Sequence, residues 1–242
     1  MARTAIILAA GMGSRLAPGG DAEQFSKPLI ELGGRSLLAR TVDACRAAGA
    51  GRILVVTGFR APLVEEEVRR LDRGDLETVH NDGWRRANGV SLLACRERAG
   101  AEPFALMMSD HIFDPSILAD LLALEPPAGS VTLAVDRKVA GVFDLDDATK
   151  VRLADGRIVA IGKTLTDYNA IDCGLFLCTP AIFGELAAVV AARGDASLSE
   201  GMARIGQAGL FLPFDIGERW WQDVDTPEML GNAAAMLERH AT

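Results

Sequence analysis

The stretch TAIILAAGMGSRLAPGGDAEQFSKPL, residues 4–29, decides how the rest of the chain is interpreted. It begins with an apolar run of strand length that leads directly into Gly11 and Gly13. Glycines at the end of a strand expose backbone N–H groups, which form a concavity that binds anions. Arg15 adds a planar cationic fork for phosphate oxygens, and Lys27, delivered by a flexible Gly/Pro/Asp loop, adds a mobile point charge. The stretch therefore predicts a triphosphate cradle.

Two better-known glycine motifs do not fit this stretch. A dinucleotide fingerprint requires a third glycine where this chain has Leu16. A Walker A loop requires G-x-x-x-x-G-K-[ST]; the G-K-T sequence that begins at Gly162 has its upstream Gly156 one residue too early. The remaining alternative is a plain strand–turn–helix connection, in which Arg15 and the Lys27-Pro28 pair would be coincidences.

The composition limits the class of protein. With 242 residues, 49% of them hydrophobic, the chain is long enough for one large α/β domain and short for two. The net charge of −8, without a basic run, argues against nucleic-acid binding. No apolar run of 18 residues and no signal peptide are seen, so a cytoplasmic protein without membrane insertion is expected. The four cysteines form no C-x-x-C pair, which favours buried thiols over zinc ligands or disulfides.

Strand and helix patterns alternate along the first half of the chain, which predicts an α/β fold with a doubly wound, mostly parallel, Rossmann-like sheet. From residue 140 to 178 short β-like runs follow one another without helices, which predicts a small antiparallel addition that carries the acceptor site. We expect a single domain over 1–242, with a nucleotide-binding part (1–136), an acceptor-binding part (137–225) and a C-terminal helix (226–242). Strands are predicted at 4–10, 52–57, 76–80, 103–108, 130–136 and 209–213, and helices at 36–48, 61–72, 87–98, 115–124, 180–192, 197–206 and 226–240.

Two groups of carboxylates are candidates for binding magnesium. Asp110 follows an apolar strand, and ligands of doubly wound sheets bind at the carboxyl ends of strands, where hard cations find oxygen ligands. Alternatively, Asp110 caps the turn that follows it. Asp223 and Asp225 alternate along an extended segment and so share one face. Thr226-Pro227 resembles a helix start, so one of these two carboxylates could serve the helix instead. For His111 we favour a packing or hydrogen-bonding role over catalysis.

The segment from Asn81 to Ser91 is rich in amide and hydroxyl groups ahead of a helix. Asn88 or Ser91 could cap that helix. Alternatively, Asn88, Gly89 and Ser91 hydrogen-bond a nucleobase edge. The nucleotide would also contact the end of the first strand at Leu8, Ala10, Gly11 and Gly13.

The order G-x-G-x-R-L followed by K-P-L resembles the signature of nucleotidyltransferases that make NDP-sugars and CDP-alcohols. The further order F-D-L-D-D-A-T-K-V, D-G-R-I, I-G-K, Y-N-A-I-D-x-G and D-V-D-T-P-E resembles the CTP:inositol-1-phosphate cytidylyltransferases over nearly the whole chain. This resemblance implies a GT-A-like nucleotidyltransferase fold, CTP as donor and Mg²⁺ as cofactor. It implies Arg15, Lys27 and Lys163 as catalytic residues, Asp110 and Asp225 (or Asp223) as metal ligands, and an acceptor site at Tyr168, Asn169, Asp172 and Gly174.

Several alternatives stay open at this point. The acceptor could be phosphocholine, aminoethylphosphonate or a sugar 1-phosphate, although the run 143–174 has too few aromatic residues for a choline cage unless Trp220 and Trp221 join Tyr168. A protein of a different class would be a catalytically inactive nucleotide-sensing module. Many members of the family carry a membrane alcohol phosphotransferase domain that this sequence lacks, so the product is expected to pass to a separate membrane CDP-alcohol phosphotransferase. A homodimer is compatible with the sequence.

Overall fold

The computed structural model describes residues 3–16 and 25–240, and within them the chain forms thirteen strands and eight α-helices. The predicted flexible loop between Leu16 and Lys27 lies mostly outside these residues. The helices are α1 Leu37–Ala47, α2 Ala61–Leu71, α3 Asn88–Ala94, α4 Arg96–Ala99, α5 Pro115–Ala123, α6 Ala181–Arg193, α7 Leu198–Gln207 and α8 Pro227–Arg239. The strands are β1 Thr4–Leu8, β2 Glu31–Leu32, β3 Arg35–Ser36, β4 Arg52–Thr57, β5 Leu76–His80, β6 Phe104–Met108, β7 His111–Phe113, β8 Val131–Asp136, β9 Lys150–Ala154, β10 Arg157–Gly162, β11 Ala170–Cys178, β12 Phe211–Asp215 and β13 Trp221–Asp223.

Nine of these strands form the central sheet, which has a parallel and a mixed half. In the parallel half, β1 lies between β4 and β6, and β5 continues the sheet beyond β4. The mixed half is organised by β11, which runs antiparallel to β6, β8 and β9, while β12 is parallel to β8. The predicted fold class, a mostly parallel sheet with an antiparallel addition, is confirmed.

Alternation along β1 explains why helices cover both faces of the sheet. Ile6 packs on one face with Leu92 of α3 and side chains of α6 and α7. Ile7 packs on the other face with Leu38 of α1 and side chains of α2 and α5. Every residue from Ala5 to Leu8 is buried, which is typical of a strand in the middle of a parallel sheet.

The differences from the predicted elements are small in extent but important for the site. The first strand ends at Leu8 rather than at residue 10, and the helix predicted over 87–98 is divided at Cys95 into α3 and α4. Two pairs of very short strands were not predicted, β2 with β3 and β7 with β13. The β7–β13 pair sets Asp223 opposite His111, so it joins the two segments that carry the candidate metal ligands.

The four cysteines are buried and unpaired, as expected. Among the described residues, no helix combines the length and the apolar character needed to cross a membrane.

Candidate active site

A cavity of about 290 Å³, which we call the glycine cavity, opens at the carboxyl ends of β1 and β6. This is the edge at which doubly wound sheets bind ligands. Of the predicted nucleotide-binding residues, only Gly89 is absent from its wall. The lining residues are Leu8, Ala10, Gly11, Gly13, Lys27, Pro28, Trp84, Arg86, Asn88, Ser91, Met108, Ser109, Asp110 and Asp225.

Gly13 leaves room for the side chain of Lys27 in the wall of the glycine cavity. The backbone of Gly13 has a φ of +63°, and a Cβ at this position would lie 2.8 Å from Cδ of Lys27. The lysine is 6% exposed, and its ammonium donates to the carboxylates of both Asp110 and Asp225. Burial by itself would lower the pKa of Lys27, but the two carboxylates outweigh it and raise the pKa above its usual value. The lysine is therefore a permanent positive charge between two carboxylates.

The two carboxylates come together because their segments are bonded to each other. The backbone N–H of Val224 donates to the carbonyl of Asp110 over 2.9 Å, next to the β7–β13 pair. Burial would raise the pKa of Asp110, yet Lys27 and His111 outweigh it and keep the pKa well below its usual range. Asp110 therefore stays ionised.

His111 supports Asp110 from the other side. Its Nδ1 lies 2.8 Å from a carboxylate oxygen of Asp110, and its ring stacks on Trp221 with 6.0 Å between centroids. Burial would lower the pKa of His111, but the hydrogen bond and the charge of Asp110 raise it overall. These contacts fit the packing and hydrogen-bonding role predicted for this histidine.

A second cavity of about 310 Å³, which we call the Lys163 cavity, adjoins the first and shares Asn88, Met108, Asp110 and Asp225 with it. Arg15 lines the Lys163 cavity. One Nη of Arg15 donates to Asp225 and the other to Asp147, each over 2.7 Å, and Lys163 donates to the same Asp147 over 2.9 Å. The wall is completed by His111, Ala148, Thr149, Ile161, Asp172, Gly174, Phe176, Leu198, Ser199, Met202, Trp221 and Asp223.

A bulge in β11 aims Asp172 at the Lys163 cavity. The register between β11 and β8 shifts between Asp172 and Phe176, and Gly174 within this shift has a φ of +72°. The Asp172 carboxylate accepts the N–H of Gly174 over 2.7 Å. Burial raises the pKa of Asp172 to about 6.

Asp223 and Asp225, which were predicted to share one face of an extended segment, have different surroundings, and β13 ends at Asp223. Asp225 bonds to Lys27 and Arg15 and lines both cavities, whereas Asp223 lines the Lys163 cavity. Burial is the main cause that raises the pKa of Asp223 above its usual value. Asp225 is therefore a better candidate than Asp223 to share a metal ion with Asp110.

Three predicted site residues, Tyr168, Asn169 and Gly89, line neither of the two cavities. Asn169 donates to and accepts from the backbone of Leu153, over 3.0 and 2.7 Å, so its amide is used within the antiparallel addition. Gly89 packs against the segment before α7, where a Cβ would lie 2.6 Å from the carbonyl oxygen of Ala196. The site roles predicted for these three residues are not supported by their positions.

The alternative that Asn88 or Ser91 caps α3 is wrong. Ala87 occupies the N-cap position of this helix. The carbonyl oxygen of the Asn88 side chain accepts the N–H of Leu198 over 2.9 Å, and the hydroxyl of Ser91 accepts from the amide of Asn81 over 2.9 Å. Both side chains keep donor hydrogens that can face the glycine cavity.

Sequence reasoning missed Asp147, Trp84 and Arg86 as lining residues. The run around Asp147 contributes to the predictions only as part of the motif order, because an acidic run of this kind is typical of a solvated loop. Trp84 and Arg86 lie in the amide-rich segment from which only Asn88, Gly89 and Ser91 were selected.

Within the described parts of the chain, no three or more His, Cys, Asp or Glu side chains are arranged to hold a metal ion by themselves. Asp110 and Asp225 nevertheless fit Mg²⁺. This ion is commonly held by one or two carboxylates, with substrate phosphates and waters as its other ligands. The protein site on its own would bind such an ion weakly and would be completed by the substrate.

Residues 5–205 match the family model of the MobA-like NTP transferase domain. The chain belongs to this family. This confirms the resemblance seen in G-x-G-x-R-L and K-P-L.

The relatives of this NTP transferase domain include longer proteins. It is 35% identical over 98% of its length to the bifunctional IPC transferase and DIPP synthase of Thermococcus kodakarensis. It is 38% identical over 96% of its length to the protein of the same name from Rubrobacter xylanophilus. The chain spans about half the length of both relatives, 51% in each case.

A solved structure is similar over the full length of both chains. It is the inositol-1-phosphate CTP transferase from T. maritima, with a TM-score of 0.82 and 27% identity, covering 98% of this chain and 95% of that one.

The contact between Gly174 and His111 gives a test of the site geometry. Gly174→Ala is expected to lower the free energy of unfolding by about 1–3 kcal/mol, because an added Cβ would overlap the His111 ring and because the positive φ disfavours other residues. The measurement is urea denaturation. Gly162→Ala is the control: no atom lies within 4 Å of its added Cβ, and its effect should stay within about 0.5 kcal/mol. Equal losses in the two variants would contradict the contact with His111.

Proposed function

We propose that this NTP transferase domain is a cytidylyltransferase that transfers CMP from CTP to inositol 1-phosphate and releases pyrophosphate. The proposal depends on one observation: the glycine cavity and the Lys163 cavity share Asp110 and Asp225 in their walls. A transferase needs a donor site and an acceptor site that share the groups at the reacting phosphorus. The activities named for the similar proteins from T. kodakarensis and T. maritima support the same reaction.

The glycine cavity would hold CTP. The backbone at Gly11 and Gly13 offers N–H groups to the phosphates, and Arg15 and Lys27 offer positive charge. The free amide hydrogens of Asn88 and the hydroxyl of Ser91 are donors, which suit the adjacent acceptors N3 and O2 of cytosine. Uracil has an N–H at position 3, which the amide N–H₂ of Asn88 cannot accept, so Asn88 would be opposed by a second donor if it faces this position. This arrangement supports CTP over UTP.

The Lys163 cavity would hold the phosphorylated alcohol. Its phosphate is the nucleophile, and because the second pKa of a phosphate monoester is about 6, it attacks as an anion without a general base. Attack on the α-phosphorus of CTP forms the new P–O bond, and the bond to the β-phosphate oxygen breaks as pyrophosphate leaves in line. Lys163 would hold the attacking phosphate while Arg15 and Lys27 neutralise the charge on the triphosphate.

Asp110 and Asp225 are the residues that would hold Mg²⁺. When bound, the ion would neutralise phosphate charge and align the two substrates. Lys27 donates to both carboxylates and thereby orients them for that purpose.

The positions of the aromatic residues support a polyol rather than phosphocholine as acceptor. Trp221 stacks on His111 and donates its indole N–H to Asp136 over 3.0 Å, whereas Trp220 stacks on His240 with 5.2 Å between centroids. The two indoles therefore contact different partners, and Tyr168 is absent from the Lys163 cavity. In the described part of the wall, Trp221 and Phe176 are not joined by Trp220 or Tyr168, so a quaternary ammonium would lack the cage that these residues were considered for.

We further propose a cytoplasmic location, which the four buried, unpaired cysteines support. The CDP-alcohol product would serve as an activated phospholipid precursor for a membrane CDP-alcohol phosphotransferase. The catalytically inactive nucleotide-sensing module is the weaker alternative, because the cations and carboxylates needed for transfer converge on one site.

The direct test is a pyrophosphate-release assay that crosses the four NTPs with inositol 1-phosphate, phosphocholine, aminoethylphosphonate and glucose 1-phosphate. We expect the highest kcat/KM for CTP with inositol 1-phosphate. A tenfold higher kcat/KM for phosphocholine or aminoethylphosphonate would overturn the acceptor, and no pyrophosphate release with any pair would favour the sensing module.

Removing a proposed metal ligand should abolish most activity. Asp110→Ala is expected to reduce kcat by at least about 10²-fold, the typical size when one electrostatic contact to the reacting group is lost. Thermal unfolding should show a folded protein, because Asp225 remains as a carboxylate partner of Lys27. The control is Asp120→Ala, an exposed carboxylate on α5 that should leave kcat unchanged. If Asp110→Ala keeps half of the wild-type rate, Asp110 does not bind the metal.

Lys27 and Lys163 should affect different substrates, because each lines only one of the two cavities. Lys27→Ala is expected to raise the KM for CTP, and Lys163→Ala to raise the KM for inositol 1-phosphate, each with a smaller change for the other substrate. Steady-state kinetics with each substrate varied in turn measure this, and each variant is the control for the other. Equal changes for both substrates in both variants would contradict separate donor and acceptor lysines.

A further inference from the structure

One carboxylate bridges two cations that the proposed function assigns to substrate phosphates. Asp147 accepts from Arg15 over 2.7 Å and from Lys163 over 2.9 Å, with one carboxylate oxygen for each. Arg15 and Lys163 are half exposed, and Asp147 lies on the wall of the cavity between them. Asp147 therefore occupies a position that suits an anionic ligand.

The segment around Asp147 has an irregular backbone that holds the carboxylate in place. The N–H groups of Asp147 and Ala148 donate to the carbonyl of Asp144 over 3.2 and 3.3 Å. Lys150, at the start of β9, donates to the carbonyl of Asp146 over 2.8 Å. The segment thus presents the side chain of Asp147 to the cavity, while that of Asp146 is exposed.

The charge of Asp147 is maintained by its two partners. Burial would raise the pKa of Asp147, but the hydrogen bonds from Arg15 and Lys163 outweigh it and lower the pKa below its usual value. Without this carboxylate, two cations would face each other across the cavity and would repel one another.

We propose that Asp147 is a resident counter-anion that the acceptor's phosphate displaces from Lys163, which also releases Arg15 for the triphosphate. This inference rests on the proposed function in that Lys163 meets the acceptor and Arg15 meets the triphosphate. A phosphate dianion carries more charge than a carboxylate and therefore attracts the Lys163 ammonium more strongly. The two anions repel each other, so Asp147 leaves its cations when the phosphate binds, and breaking these ion pairs weakens the binding of the acceptor.

The inference predicts a gain of affinity on removing a charge. Asp147→Asn should bind inorganic phosphate about three- to tenfold more tightly than the wild type. This is the range expected when phosphate no longer has to break one or two partly exposed ion pairs in order to bind. The KM for inositol 1-phosphate should fall in parallel. The measurements are equilibrium dialysis with labelled inorganic phosphate at low ionic strength and steady-state kinetics on the full chain.

Matched variants separate this effect from others. Asp146→Asn removes the same charge from the neighbouring exposed position and should change the affinity for phosphate little. In a Lys163→Gln background, the gain from Asp147→Asn should shrink because one of the displaced ion pairs is already absent. At about 1 M salt, where the Debye length is about 3 Å, the gain should also shrink. Asp147→Ser provides a second replacement, and thermal unfolding establishes that each variant is folded.

Weaker or unchanged phosphate binding by both Asp147→Asn and Asp147→Ser would overturn the inference, since Asp147 would then organise the cations rather than compete for them. Tighter binding by Asp146→Asn would also overturn it, because the effect would come from net charge alone. If the wild type does not use inositol 1-phosphate but Asp147→Asn binds phosphate more tightly, the proposed acceptor is wrong and the role of Asp147 stands.

Discussion

The buried ammonium of Lys27 between Asp110 and Asp225 is the interaction on which the rest of the site depends. Lys27 is 6% exposed, and burial disfavours its charged form unless carboxylates lie beside the ammonium. Two neighbouring carboxylates in turn repel each other unless a cation lies between them. Each group therefore requires the others. The three groups come from distant parts of the chain: Lys27 precedes β2, Asp110 follows β6 and Asp225 follows β13.

This mutual requirement explains features that are otherwise unrelated. Gly13 has no side chain because the Lys27 side chain crosses over it, and Gly174 has none because the His111 ring lies against it. The β7–β13 pair is only three residues long in each strand, yet it fixes the distance between Asp110 and Asp225 through the Val224 hydrogen bond. Small elements and close backbone contacts thus determine the electrostatics of the site.

The sequence predicts those parts of the protein that depend on local patterns. Gly11 follows the apolar run of β1, and Asp110 follows that of β6. The sequence therefore locates the edge of the sheet at which a ligand would bind. The β7–β13 pair could not, because three-residue strands more than a hundred residues apart leave no detectable periodicity. Asn169 resembled a ligand-binding residue because its type and motif are suitable, but its amide bonds to the Leu153 backbone, a contact set by the strand pairing. The acidic run at Asp147 has the composition of a solvated loop, and only the tertiary structure sets this carboxylate beside Arg15 and Lys163.

The division of the sheet also separates the proposed donor site from the proposed acceptor site. The glycine cavity is built mainly at the end of the parallel half, where β1 and β6 present backbone groups and fixed charges that suit any nucleoside triphosphate. Much of the Lys163 cavity is built by the antiparallel half, where Asp172 depends on a bulge in β11, Lys163 follows β10 and Asp147 precedes β9. A change of loop or side chain there would alter the proposed acceptor wall, whereas the glycines after β1 belong to the proposed donor site. Because Arg15, Asp110 and Asp225 connect the two halves through charge, substitutions in the acceptor wall remain coupled to the donor site through these three residues.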